Sequence, residues 1–169
     1  MELPVFFTKE LEAYLRKNYR LDWNGLHGWS HWVRVYENGM RLAAINGADA
    51  LVVGLFAFTH DIARQSDSGD WYHGPRAAVL IRDEMQGRFF HLSPLQLAQL
   101  TQAVAEHTKG KTEADITVQT CWDSDRLDLW RAGYYPNPER LCTIEAKDPV
   151  TIEWAVKRSE AWRQSLGSE

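Results

Sequence analysis

The chain has 169 residues, of which 44% are hydrophobic and 25% are charged. These fractions are ordinary for a globular domain, and they exclude a fibrous or disordered chain. One hydrophobic core is enough at this length, so we expect a single domain over residues 1–169. The net charge of −4 would repel polyphosphate, so a nucleic-acid polymer is not an expected partner, whereas a small phosphorylated molecule is compatible with it.

The sequence carries no pattern typical of membrane insertion or secretion. Its longest apolar stretch, residues 50–58, is too short to cross a bilayer. The first eight residues lack the basic cluster and the cleavage site of a secretory signal. Two cysteines, Cys121 and Cys142, cannot build a framework of disulfides. We therefore expect a cytoplasmic protein without a membrane partner, and its aromatic content is consistent with a homodimer.

Helical periodicity runs through the chain, and no alternating strand pattern of useful length competes with it. We predict an all-α, compact bundle. Its helices are expected at about 8–20, 28–46, 48–63, 75–87, 94–108 and 116–129, and from 149 onward. Gly47 is a plausible helix stop, Ser93 and Gln96 can form a capping box, and Asp115 can cap the following helix. The apolar third helix is expected at the centre, and the polar stretch 64–73 as a loop over a site.

Three predicted helices place an ionisable residue in line with apolar neighbours, namely His31, His60 and Asp125. A buried carboxylate without a partner costs several kcal/mol, and the usual remedies are a paired charge, a proton or a metal. With Asp61 the set offers two imidazoles and two carboxylates, which suit a divalent ion. Such an ion would acidify bound water and neutralise phosphoryl oxygens. An isolated inward histidine, however, is more often a hydrogen-bonded core residue than a ligand.

Three short motifs resemble, in order, the H…HD…D signature of HD-domain phosphohydrolases: residues 31–35, 60–61 and 124–128. The resemblance covers about residues 27–130. It implies a helical bundle of the HD type and one divalent ion (Mn, Fe, Co, Ni, Zn or Mg) held by His31, His60, Asp61 and Asp125. It also implies hydrolysis of a phosphomonoester or phosphodiester, of a nucleotide or another small phosphorylated metabolite.

The same resemblance suggests roles for neighbouring groups. Asp61 is expected to orient the attacking water. Arg34, three residues after His31, is a candidate phosphate clamp, with an ion pair to a nearby acid as the equal alternative. Arg64 is a similar candidate for which solvent exposure is favoured, and Asp123 is the fallback ligand if Asp125 is not one.

Further histidines leave other functions open. His27, His73 and His107 occupy places similar to those that build a second metal site in binuclear HD proteins, although they can also hydrogen-bond to the ligands of a single ion. The alternatives to hydrolysis are a di-iron oxygenase, which needs His73 and His107, and a non-catalytic nucleotide sensor. Trp71 and Tyr72 are the aromatic residues expected near a substrate ring.

Overall fold

A computed structural model describes residues 3–166, and within this range the secondary structure is helical. The α-helices in chain order are α1 (Lys9–Asn18), α2 (Trp29–Asn46), α3 (Ala50–Thr59), α4 (His73–Leu80), α5 (Pro94–Glu106), α6 (Ile116–Arg126), α7 (Ile144–Lys147) and α8 (Pro149–Leu166). A π-helical turn covers Ile81–Met85, and 3₁₀ turns cover His107–Lys109, Leu129–Ala132 and Pro138–Arg140. The prediction of an all-α fold is confirmed.

Several helix ends lie where capping chemistry predicts them. Gly47 ends α2 in the left-handed region, with φ of 74°. The side chains of Ser93 and Gln96 form the predicted capping box at the start of α5. Asp115 caps α6 by accepting a hydrogen bond from the backbone N–H of Thr117. The predicted boundaries of α2, α5 and α8 therefore hold to within one or two residues.

Other boundaries differ from the predictions. The third helix ends at Thr59 rather than near Ala63, because residues 60–63 form turns. The helix that carries Asp125 ends at Arg126, and a separate 3₁₀ turn follows it. Helix α7 was not predicted, and it is capped by the Thr143 side chain. Each difference concerns a segment of only a few residues.

Helix α3 is the centre of the fold, as its apolar sequence predicts. It contacts α2, α5 and α6, and every residue from Val52 to Thr59 is buried. The largest side chains in this core include Trp32, Phe56 and Trp122, each fully buried. Burial of such a side chain stabilises the fold by roughly 1.5–3 kcal/mol. His60 and Asp61, at the end of α3, are consequently held inside the protein.

A second, smaller apolar cluster joins the C-terminal helix to the bundle. Leu42 of α2 and Leu127 pack there with Ile152 and Ala155 of α8. This packing positions α8 beside the 3₁₀ turn that follows α6. Among the described residues, no helix is long and apolar enough to cross a membrane.

Candidate metal centre

Four side chains from three segments converge at the buried end of α3. His31 comes from α2, His60 and Asp61 directly follow α3, and Asp125 comes from α6. The Nε2 atoms of His31 and His60 are 3.1 Å apart. Asp125 Oδ1 lies 3.4 Å from His31 Nε2, and Asp61 Oδ2 lies 3.6 Å from His60 Nε2. The structure thus brings together all four predicted ligands, which we call the first ligand group.

The hydrogen bonds of His31 and His60 fix how each ring is oriented. His60 Nδ1 is 3.2 Å from the carbonyl oxygens of Phe56 and Ala57, so this nitrogen must be the donor. His31 Nδ1 donates in the same way to Asp128 Oδ2, at 2.7 Å. In a neutral ring whose Nδ1 carries the proton, Nε2 presents a lone pair. Two lone pairs therefore face each other across 3.1 Å, an arrangement that a cation between or beside them would stabilise.

A proton is a poor candidate for that cation at neutral pH. Burial lowers the pKa of His60 to about 3, and burial with the nearby Arg131 also lowers the pKa of His31. Both rings are fully buried. A metal ion satisfies the two nitrogen atoms without this cost, and neutral imidazole is the form that binds metal.

The carboxylates of this group support the same conclusion. Burial by itself would raise the pKa of Asp125, but His60, when it carries a proton, and the guanidinium of Arg131 hold it below its ordinary value. For Asp61, burial is likewise outweighed by His60, when it carries a proton, and by the neighbouring His107 and His73, so its pKa is also lowered. Both groups are therefore anionic at neutral pH. Asp125 Oδ1 is buried and has no hydrogen-bond partner within residues 3–166, so it is an unsatisfied acceptor in position for a cation.

A second ligand group lies on the other side of Asp61. His73 Nε2 and His107 Nε2 are 2.8 Å apart, and they lie 2.9 and 3.6 Å from Asp61 Oδ1. Their Nδ1 atoms donate to the main-chain oxygens of Asp70 and Val104. Since Asp61 Oδ2 faces the first group and Oδ1 the second, one carboxylate lies between two sets of ligands. Buried His and Asp groups suitable for a metal ion are therefore present on both sides.

The two groups differ in how readily a proton can replace a metal. Burial would lower the pKa of His107, but the close approach of Asp61 and the charge of Asp125 raise it above its ordinary value. His107 therefore accepts a proton more readily than His31 or His60 does. Because metal and proton compete for the same nitrogen atoms, we expect weaker competition from protons at the first group.

The prediction that Arg34 clamps phosphate needs correction. Its Nε and Nη2 donate to the two oxygens of Asp128, at 2.6 and 3.0 Å, and Trp162 covers the guanidinium. Ser159 of α8 donates to the same carboxylate. The ion pair proposed as the alternative is therefore what forms, and Arg34 acts on the centre only through Asp128, which holds His31.

Asp123 is not positioned as the fallback ligand. Its carboxylate accepts hydrogen bonds from the backbone N–H of Cys142 and from the backbone N–H and hydroxyl of Thr143. Burial raises its pKa. These contacts tie α6 to the segment before α7, so Asp123 has a structural role away from the two ligand groups.

The remaining predicted residues surround the centre without joining either group. His27 is buried, and its Nδ1 lies 2.8 Å from Asp67 Oδ1 in the polar loop. Arg64 is more buried than expected, and its Nη1 lies 3.4 Å from Asp61 Oδ1. Trp71 and Tyr72 are each 73% exposed and do not line the cavity at the centre, so their expected contact with a substrate ring is not supported.

A cavity of about 590 Å³ opens onto the two ligand groups. Its lining includes two residues of the ligand groups that carry carboxylates, Asp61 and Asp125, and also His107 and Arg131. Residues later in the sequence contribute as well, namely Tyr134, Tyr135 and Arg140. The sequence analysis missed both Asp128 as the partner of His31 and Arg131. One signal was available, because Asp125, Asp128 and Arg131 are spaced by three residues, as on one side of a 3₁₀ turn.

Comparison of the chain with protein-family models, curated proteins and solved structures finds no match. Any functional conclusion therefore depends on the residues and geometry of the site itself.

Proposed function

We propose that this chain is a metal-dependent phosphohydrolase of the HD type, and that its first ligand group holds a divalent ion. The observation that carries the proposal is the pair of facing Nε2 lone pairs on His31 and His60, which lie beside the anionic Asp61 and Asp125. Uncompensated, this arrangement would be costly in a buried site. With an ion bound, it becomes a ligand set of two imidazoles and two carboxylates.

The second ligand group suggests that the centre accepts two ions that share Asp61. This modifies the expectation of a single ion that the motif resemblance gives. The two oxygens of Asp61 face different histidine pairs, as a shared ligand requires. We infer that the first group fills at lower metal concentration, because a proton competes more effectively for His107.

The proposed hydrolysis depends on the charge of the divalent ion and on the positions of Asp61 and Arg64 beside it. A divalent ion at this centre would lower the pKa of bound water toward neutrality and offset the charge of phosphoryl oxygens. Asp61 would accept a hydrogen bond from the attacking water. Arg64, 3.4 Å from Asp61, adds a positive charge at the same wall of the cavity. The buried surroundings strengthen each of these interactions.

The cavity supports an organic phosphoester as substrate. Its volume of about 590 Å³ is within the range of small-molecule sites and exceeds what a phosphoryl group alone would fill. Tyr134 and Tyr135 offer aromatic surface along it. A nucleotide, or another phosphorylated metabolite of similar size, fits this cavity, because it combines an anionic phosphoryl group with a flat ring.

A substrate screen tests the proposal. The purified chain is stripped of metal, reloaded in turn with Mn²⁺, Co²⁺, Ni²⁺, Zn²⁺, Fe²⁺ or Mg²⁺, and assayed with nucleotides and generic phosphomonoesters and diesters. We expect release of phosphate or alcohol that requires metal and disappears in His60→Ala. Binding of nucleotides without turnover of any ester would contradict hydrolysis and favour a sensor.

The second ligand group also gives a specific reason to test a di-iron oxygenase. That activity requires His73 and His107 as ligands, and both are in position near Asp61. Two irons per chain with oxygen-dependent changes in the absorption spectrum, and no esterase activity, would favour it. Hydrolysis that is equally fast without oxygen and with redox-inactive metals would exclude it.

A further inference from the structure

Arg131 is a buried arginine held at the wall of the cavity by main-chain contacts. Its Nε donates to the carbonyl oxygen of Leu26, at 3.1 Å, and its Nη1 donates to the carbonyl oxygen of Asp128, also at 3.1 Å. The residue is 8% exposed. Two hydrogen bonds to backbone therefore fix the plane of the guanidinium before any ligand binds.

The third nitrogen of this guanidinium, Nη2, is the one that remains available among residues 3–166. Its Nη2 makes no hydrogen bond within the part of the chain that the structure describes, whereas Nη1 lies 3.8 Å from Asp125 Oδ1. The arginine lines the same cavity as Asp61 and Asp125. An anion bound in this cavity next to Asp125 would thus lie close to the guanidinium, which has Nη2 as a remaining donor.

Two other arginines near the centre, Arg34 and Arg126, are already engaged by protein acceptors. Arg34 is fully engaged by Asp128, as described above. Arg126 donates to the main-chain oxygens of Lys111 and Arg140. A buried charge of this kind is costly to keep unless it has a partner, and Arg131 has only long contacts to carboxylates, at 3.8 and 3.9 Å.

We propose that Arg131 binds a non-bridging oxygen of the phosphoryl group of the substrate. A guanidinium recognises phosphate with directed, charge-assisted hydrogen bonds, and one that is fixed in advance loses little entropy on binding. Its charge faces the position where negative charge increases during phosphoryl transfer. This assignment rests on the proposed function for the identity of the substrate, but binding of inorganic phosphate can be measured without turnover.

The test uses metal-loaded wild type, Arg131→Gln and Arg131→Lys, with Arg82→Gln as a control for loss of one positive charge. Arg82 is exposed and pairs with Asp83, outside the cavity. Inorganic phosphate is titrated into each protein by isothermal calorimetry, and metal content and thermal unfolding are measured on the same samples. Hydrolysis of the best ester from the screen gives kcat and KM separately.

We expect Arg131→Gln to weaken phosphate binding about 10- to 100-fold, the effect of losing a hydrogen bond to a charged group. Its metal content should be unchanged or higher, because a positive charge near Asp125 has been removed. Arg131→Lys should lose less, and Arg82→Gln nothing. A purely structural role would lower the unfolding temperature without this selective loss of phosphate affinity.

Three results would overturn the assignment: no phosphate binding by the wild type, wild-type phosphate affinity in Arg131→Gln, or equal loss in Arg82→Gln. If Arg131→Gln does not fold, Arg131→Lys decides, because lysine keeps the positive charge but lacks the paired N–H donors of the guanidinium. Its phosphate affinity should then be lower than that of the wild type. Phosphate binding that depends on Arg131 in a protein that hydrolyses no ester would retain the inference and reject the proposed function.

Discussion

Replacing Asp128 with asparagine should weaken metal binding although Asp128 is not itself a ligand. Asp128 accepts the Nδ1 proton of His31 at 2.7 Å and so keeps the Nε2 lone pair directed at the centre. An asparagine amide can donate to Nδ1 instead, which would move the proton to Nε2. Loss of such a partner typically costs 10- to 100-fold in metal affinity, or about 1.4–2.8 kcal/mol.

The same substitution should also destabilise the fold, because Asp128 is the partner of the buried Arg34. Breaking a buried ion pair costs about 3–5 kcal/mol, and the amide oxygen of the introduced asparagine would recover part of this. A domain with ordinary stability of about 5–15 kcal/mol would still fold. Metal affinity is measured by competition with a chelator, and the free energy of unfolding by urea titration.

Asp123→Asn is the matched control, because Asp123 is also buried and lies on the same segment. Its hydrogen bonds go to Cys142 and Thr143 rather than to the centre. This variant should lose about 1–3 kcal/mol of stability and keep its metal affinity. Wild-type metal affinity in Asp128→Asn, or an equal loss of affinity in both variants, would refute the reasoning.

Three further predictions concern protonation, metal number and packing. Burial lowers the pKa of His60 in the metal-free protein to about 3, against about 6.5 when unfolded. The contribution of neutral His60 to stability is therefore complete above pH 6.5 and is lost as the pH falls toward 3. Urea titrations should show a free energy of unfolding that decreases as the pH is lowered through this range, and a value independent of pH would contradict the prediction. His107→Ala should reduce the metal content at saturation from two ions to one, as counted by elemental analysis, and retention of two would exclude His107 as a ligand. Gly74→Ala should lower stability by about 1–3 kcal/mol, because the added Cβ would meet the main-chain oxygen of Val104; an unchanged unfolding temperature would show that α4 can shift.

The parts of the fold that could be predicted are those with local chemical signals. Gly47, the Ser93–Gln96 capping box and Asp115 each mark a helix end through their own side chain or backbone preference. The apolar sequence of α3 likewise indicates its central position. Helix α7 has a capping residue of the same kind in Thr143, but it is only four residues long, which is too short for helical periodicity to indicate it.

The candidate ligands could be predicted because each interrupts an apolar pattern or belongs to the H…HD…D motif. The roles of Arg34 and Asp123 could not, because helical spacing indicates which side a residue faces but not which partner it meets. Arg34 lies on the same side of α2 as His31, but its guanidinium donates both hydrogen bonds to Asp128. Helical periodicity does not indicate the position of Arg131, because α6 ends at Arg126; only its three-residue spacing from Asp125 and Asp128, which suits the 3₁₀ turn, indicates it.

Titration of the metal-stripped protein with Co²⁺, followed by visible absorption, tests the central claim most directly. The account predicts saturable binding of at least one ion per chain with a nitrogen–oxygen ligand spectrum, and loss of the tighter binding step in His60→Ala. Absence of saturable binding in a folded wild type, or the same titration curve in His60→Ala, would contradict it.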